Sequence, residues 1–155
     1  MRAFLIPLSL FALAACATTG NSSDRIEISE GPCFGACPIY ELVVTPDDHY
    51  ELDGQRFTRI NGFSEGDLPR GSFVQMRDLL DRADFFRLPE NYTFSNPDVC
   101  PGPELSDMPS ITITYTTRRG SHTVTWYQGC RAPNMRDLRD GLRDAFGYED
   151  IVRPG

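Results

Sequence analysis

From Arg25 onward, polar and apolar residues alternate in short runs, the spacing expected of strands with one buried face. Arg25 to Ile28 forms the first run. In the second, Tyr40, Leu42 and Val44 face one way; this run lies between a cysteine-bearing turn at Gly31 to Pro38 and the turn residues Pro46-Asp47-Asp48. His49 to Leu52 alternates again, Asp53-Gly54 reads as a second tight turn, and Arg56 to Ile60 reads as the next strand, so a meander is expected. Asn61-Gly62 and Gly66 break the pattern. Phe73, Met76, Leu80 and Ala83 then recur at steps of three and four, predicting an amphipathic helix with Pro69 in its first turn and an end near Asp84. Phe85-Phe86 is expected to enter the core.

Leu88 to Pro109 is rich in Pro, Asn and Asp and has no period, which predicts a long loop pinned by a bridge at Cys100. Ser110 to Thr117 alternates most cleanly, with Ile111, Ile113 and Tyr115 against Thr112, Thr114 and Thr116. Arg118-Arg119-Gly120 makes a hairpin loop, and Ser121 to Gln128 returns with His122, Val124 and Trp126 on one side. Pro133 opens a last helix whose apolar stripe is Met135, Leu138, Leu142 and Phe146, with Gly147 as its C-cap. A three-strand meander, a helix, a hairpin and a C-terminal helix predict an α+β domain, an antiparallel sheet with its helices on one face.

The N-terminus changes the setting. Arg2 precedes an apolar run from Phe4 to Ala15 that stops at Leu13-Ala14-Ala15-Cys16. That run is too short to cross ~30 Å of hydrocarbon and has the form of an export signal. Its last four residues resemble the lipobox of bacterial lipoproteins, which implies that residues 1–15 are removed and that Cys16 becomes a lipidated first residue. The expected organisation is a signal peptide over 1–15, the lipidated cysteine and a flexible tether over 16–24, one domain over 25–148, and a solvated tail over 149–155. Ala17 is not the aspartate associated with inner-membrane retention, so the expected place is the periplasmic face of the outer membrane.

Charge narrows the partners. The chain carries 15 basic residues, all arginine, against 22 acids, for a net −7. Residues 1–15 hold one arginine and no acid, so the processed chain would stand at 14 against 22, or −8. An acidic surface argues against nucleic acid, which needs a basic face, and leaves membrane attachment to acyl chains. The expected partners are therefore the membrane through its anchor, and an envelope protein or small ligand.

Four further cysteines, Cys33, Cys37, Cys100 and Cys130, are expected as disulfides in an exported chain. Of three possible connectivities the preferred one joins Cys33 to Cys37, closing a tight turn, and Cys100 to Cys130, fastening the long loop to a strand end. The second chemistry open to the Cys33-x-x-x-Cys37-Pro38 turn is thiol exchange or Cu(I) handling. Its spacing is similar to the copper-binding turn of Sco-type thioredoxin-fold proteins, but here the turn leads into a strand and not a helix.

Cys33-Phe34-Gly35-Ala36-Cys37-Pro38-Ile39-Tyr40 resembles the signature of a bacterial family known only as domain of unknown function 6438. Phe85-Phe86-Arg87-Leu88, Tyr92 and Asp107-Met108-Pro109-Ser110 extend the resemblance over roughly Arg25 to Phe146. It implies the same order of elements and no reaction. Asn96 to Leu105 resembles an enlargement of a shorter family loop, so the pairing of Cys100 is not implied by the family.

No metal-binding His-Glu-x-x-His, nucleophile elbow, phosphate loop or dinucleotide fingerprint occurs, so no catalytic residue, metal or cofactor is expected. The two histidines, His49 and His122, fall near strand edges, where a local hydrogen bond is the expected role. Tyr127, expected on the outer face beside Tyr92, completes the candidates as a contact for a partner. The function this predicts is a non-catalytic binding or scaffolding module of the cell envelope.

Overall fold

The computed structural model describes residues 23–101 and 105–154, so the expected signal peptide, Cys16 and most of the expected tether lie outside the described residues. Seven strands form one sheet: β1 (Arg25–Glu30), β2 (Ile39–Val44), β3 (His49–Arg56), β4 (Gly62–Asp67), β5 (Asn91–Tyr92), β6 (Ser110–Thr117) and β7 (Gly120–Tyr127). Their order is β4-β3-β2-β1-β6-β7-β5. Every neighbouring pair is antiparallel except β5 with β7.

Alternation decides which face is covered. Ile26, Ile28, Tyr40, Leu42, Val44, Leu52, Ile111, Ile113, Val124 and Trp126 are all buried. Against them pack α1 (Ser72–Arg82), through Phe73, Met76 and Leu80, and α2 (Pro133–Phe146), through Met135, Leu138, Leu142 and Phe146. The two helices meet where Gly141 passes Leu79, a place where a Cβ would lie 2.9 Å from Leu79 Cδ2. The opposite face of the sheet is open. There, β6 and β7 carry hydrogen-bonded pairs between Thr112 and Thr125, Thr114 and Thr123, and Thr116 and Ser121. The fold is thus α+β, with helices on one side of a mostly antiparallel sheet.

Several local expectations are corrected. Asp53-Gly54 is no turn: β3 runs through it, and the chain reverses at 57–61. Glycine stands at 54 because that reversal folds back over it, so a Cβ would collide with the Ile60 carbonyl oxygen and with Thr58 Oγ1. The strand expected at Arg56 to Ile60 is this reversal, and the segment with Gly62 and Gly66 is instead edge strand β4. The α1 helix starts at Ser72, with Pro69 in the turn before it. Phe85 enters the core, whereas Phe86 stays 44% exposed.

Part of the long loop is strand β5, laid parallel to β7. Beyond Gly147, which has the αL backbone of a C-cap (φ 72°), α3 (Tyr148–Ile151) runs into the residues expected as a solvated tail, and Val152 is fully buried. Arg59 stitches this segment down: its N–H donates to the Val152 carbonyl at 2.8 Å, and its guanidinium donates to the Glu149 carbonyl at 3.1 Å.

Candidate functional site

Antiparallel pairing brings the end of β1, the start of β2, the start of β6 and the end of β7 to one edge of the sheet. The cysteine turn caps that edge. Cys33 and Cys37 are paired with their Cα atoms 5.8 Å apart, and the Gly31 and Phe34 N–H groups donate to the Ser110 and Asp107 carbonyls at 2.9 and 3.1 Å. A covalent closure and two backbone bonds therefore hold a turn whose tip, Phe34, is 88% exposed. Leu105 and Met108 are also exposed, on the segment that the turn grips. A phenylalanine so placed gains nothing from the fold, since burying a side chain of that size is worth about 1.5–3 kcal/mol.

Below the turn lies a charged group in the interior. Glu30 follows Ile26 and Ile28 on the core face of β1 and is only 3% exposed. Its charge is compensated by Arg143 of α2, whose Nε donates to Oε1 at 3.0 Å while its Nη2 reaches both carboxylate oxygens. Arg143 also stacks 4.2 Å over the Tyr148 ring, and Tyr148 tilts against Tyr40 at 6.1 Å. Burial opposes the charge on Arg143, but Glu30 more than offsets this and raises its pKa.

Burial first, and Glu30 second, push Tyr40 well above the ordinary phenol value. The Tyr40 hydroxyl feels the Glu30 carboxylate, yet among the described residues no group stands in hydrogen-bonding geometry to it. One turn earlier on α2, Arg139 Nη1 donates to Gln128 Oε1, and the guanidinium stacks 5.4 Å over Trp126.

The remaining candidates fall as follows. Cys100 and Cys130 pair with Cα atoms 5.4 Å apart, so both preferred bridges lie at disulfide distance. No helix lies behind Cys37 to lower a thiolate's pKa: the chain passes through Pro38 into β2, and the redox and copper alternative finds no support in this geometry. Tyr92 is not a surface contact. It pairs with Trp126 in register and is 5% exposed on the core face, so it cannot stand beside Tyr127, which points outward from the next position.

The Tyr127 hydroxyl is used internally, donating to the Leu105 carbonyl at 2.8 Å and accepting from the Met108 N–H at 3.2 Å. His49 faces Asp67 at 3.2 Å, and His122 Nε2 donates to the Leu88 carbonyl at 2.9 Å; both lie toward the edge opposite the cysteine turn.

Phe34 and the Glu30–Arg143 pair were not among the expected site residues. The alternation that set Ile26 and Ile28 inward already set Glu30 inward, so a buried carboxylate needing a cation was readable. Phe34 could have been singled out because a loop with three residues between its cysteines has no interior in which to hide a ring.

A family profile described as a domain of unknown function, 6438, matches residues 24–146. The chain belongs to this family. The match spans both the cysteine turn and Arg143, so the buried pair below the turn lies within the family 6438 domain. No curated protein matches the chain.

Proposed function

We propose that this family 6438 chain is a lipid-anchored module of the cell envelope that binds a protein partner through the rigid turn carrying Phe34, without catalysis. The exposure of Phe34 is the observation that carries this reading. Interface anchors are large aromatic side chains that fill a pocket on the partner, and a preformed anchor loses little entropy on binding. The disulfide and the two backbone bonds supply that preorganisation here.

Direction supports it too. The chain enters β1 at Arg25, while the turn follows Glu30 at the other end of that strand, six residues or about 20 Å away at ~3.3 Å per residue. A domain tethered through Cys16 would then offer Phe34 away from the bilayer. The anchor itself is testable: Cys16→Ala should move the protein out of the membrane fraction, on the outer membrane by the sorting expectation.

The partner is tested by placing a photo-crosslinking benzophenone at position 34 in living cells, with a second probe at Glu51 on the open sheet face. A discrete adduct with an envelope protein should form from position 34, fail from position 51, and vanish when Cys33 and Cys37 are both changed to serine. Equal adducts from both positions, or none from position 34, would remove the reading.

A further inference from the structure

At the sheet edge opposite the cysteine turn, a cleft of about 640 Å³ opens between the β6–β7 hairpin, the end of α1 and the start of the domain. Its apolar wall is an aromatic pair, Phe86 against Tyr115, with ring centroids 5.5 Å apart and planes at 47°. Phe86 is the member of Phe85-Phe86 that the core leaves out, and its ring lines the cleft.

Two carboxylates flank the rings. Asp81 projects from α1 with its side chain largely exposed and 4.0 Å from Arg77 Nε, and Asp24 accepts the Arg118 N–H at 3.2 Å. Both face the Tyr115 hydroxyl, whose pKa is raised first by burial and then by Asp81 and Asp24, with Arg77 opposing them. On the hairpin side, Arg118 and Arg119 line the same cleft, and neither guanidinium lies within ion-pair distance of a carboxylate among the described residues.

We infer that this cleft is a binding site for a small zwitterion of the aminoalkyl phosphate class. The ammonium sits against the Phe86 ring beside Asp81, and the phosphate meets Arg118 and Arg119. An aromatic face with adjacent carboxylates attracts an alkylammonium through the ring quadrupole and through charge. Two neighbouring guanidiniums offer fork-shaped donors that match phosphate oxygens better than a single carboxylate. A simple cation would meet the arginines and a simple anion the aspartates, so only a ligand carrying both signs suits the whole cleft.

The same group exists free in solution and as the headgroup of a phospholipid. The cleft borders Asp24, where residues 1–23 join the domain, so an anchored protein would turn it toward the bilayer. The site stands without the anchor; the anchor reading bears only on the source.

The test uses the purified full-length protein, with 2-aminoethyl phosphate, ethanolamine and inorganic phosphate titrated separately by calorimetry. The intact zwitterion should bind saturably and about tenfold or more tighter than either fragment, a difference of about 1.4 kcal/mol. Asp81→Asn and the double variant Arg118→Gln/Arg119→Gln should each weaken it about tenfold or more. These positions are exposed, and unchanged thermal unfolding will show that the fold persists. Vesicles of phosphatidylethanolamine that compete with the free zwitterion identify the lipid as source, and vesicles that fail to compete identify a soluble one; either result keeps the site. Absence of saturable binding to both solute and vesicles, or binding that survives either set of substitutions, overturns it.

Discussion

Tyr40 sits where two demands on one residue conflict. Its ring is packed against Tyr148, while its hydroxyl, beside the Glu30 carboxylate, has no partner in hydrogen-bonding geometry among the described residues. Leaving a buried hydroxyl unpaired costs about 1–3 kcal/mol, so deleting it should be nearly free. Tyr40→Phe is therefore expected to keep stability at pH 7 within about 1 kcal/mol of the parent.

The pH dependence follows from the direction of the shift. The folded-state pKa lies above the unfolded phenol value of ~10, so the folded chain holds this proton more tightly. That contribution is complete below pH ~10 and is lost as pH rises through the folded value. Burial moves Tyr148 and Tyr115 the same way. Urea midpoints between pH 7 and 11 should fall more steeply for the parent than for Tyr40→Phe. Parallel curves would mean that Tyr40 ionises no harder in the folded protein than in the unfolded one.

The elements readable in advance share one property: their apolar residues point at something. β1, β2, β6, β7, α1 and α2 each present a stripe to the common core, so a period of 2 or 3.6 marks them. β4 is an edge strand whose residues are mostly exposed, and with no buried stripe it leaves no period to read. Gly54 in β3 was misread because a glycine demanded by close approach looks the same in a sequence as a glycine demanded by a turn.

The cap of α1 was hidden for another reason. Gly71 at its N-cap has no side chain, and the cap comes from Asp48, whose Oδ2 and Oδ1 accept the Gly71 and Phe73 N–H groups at 2.7 and 2.8 Å across more than twenty positions of sequence. Asp47-Asp48 was legible only as turn chemistry, and Asp48 does hold the left-handed backbone of a turn at φ 67°. Asp48→Ala should lose the cap and strain the backbone, costing about 2 kcal/mol in urea unfolding, whereas Asp48→Asn keeps an acceptor and tolerates that backbone, at under about 1 kcal/mol. Equal losses would show that the two hydrogen bonds do not hold α1.

Across the whole molecule both disulfides lie at the end of the sheet that the Phe34 turn caps, yet they do different work. The Cys33–Cys37 bridge closes a loop four positions long on a half-exposed turn, and the chain-entropy estimate for so short a loop is about 2 kcal/mol. Cys100–Cys130 is buried and spans thirty positions, for about 3–4 kcal/mol by the same estimate. It also ties the Asn96–Cys100 turn to the end of β7, where Trp126 Nε1 donates to the Cys130 carbonyl at 3.0 Å.

Replacing Cys100 and Cys130 with serine should therefore lower the urea midpoint more than replacing Cys33 and Cys37, and should expose the segment after Tyr92 to limited proteolysis. Removing the short bridge should leave that segment protected and the midpoint closer to the parent. A domain of this size has about 5–15 kcal/mol in total, so the long bridge is a sizeable fraction of what keeps it folded. If both double variants lose the same stability, loop length does not set what each bridge contributes, and the short one must also be counted as a brace of the core and not only of the turn that presents Phe34.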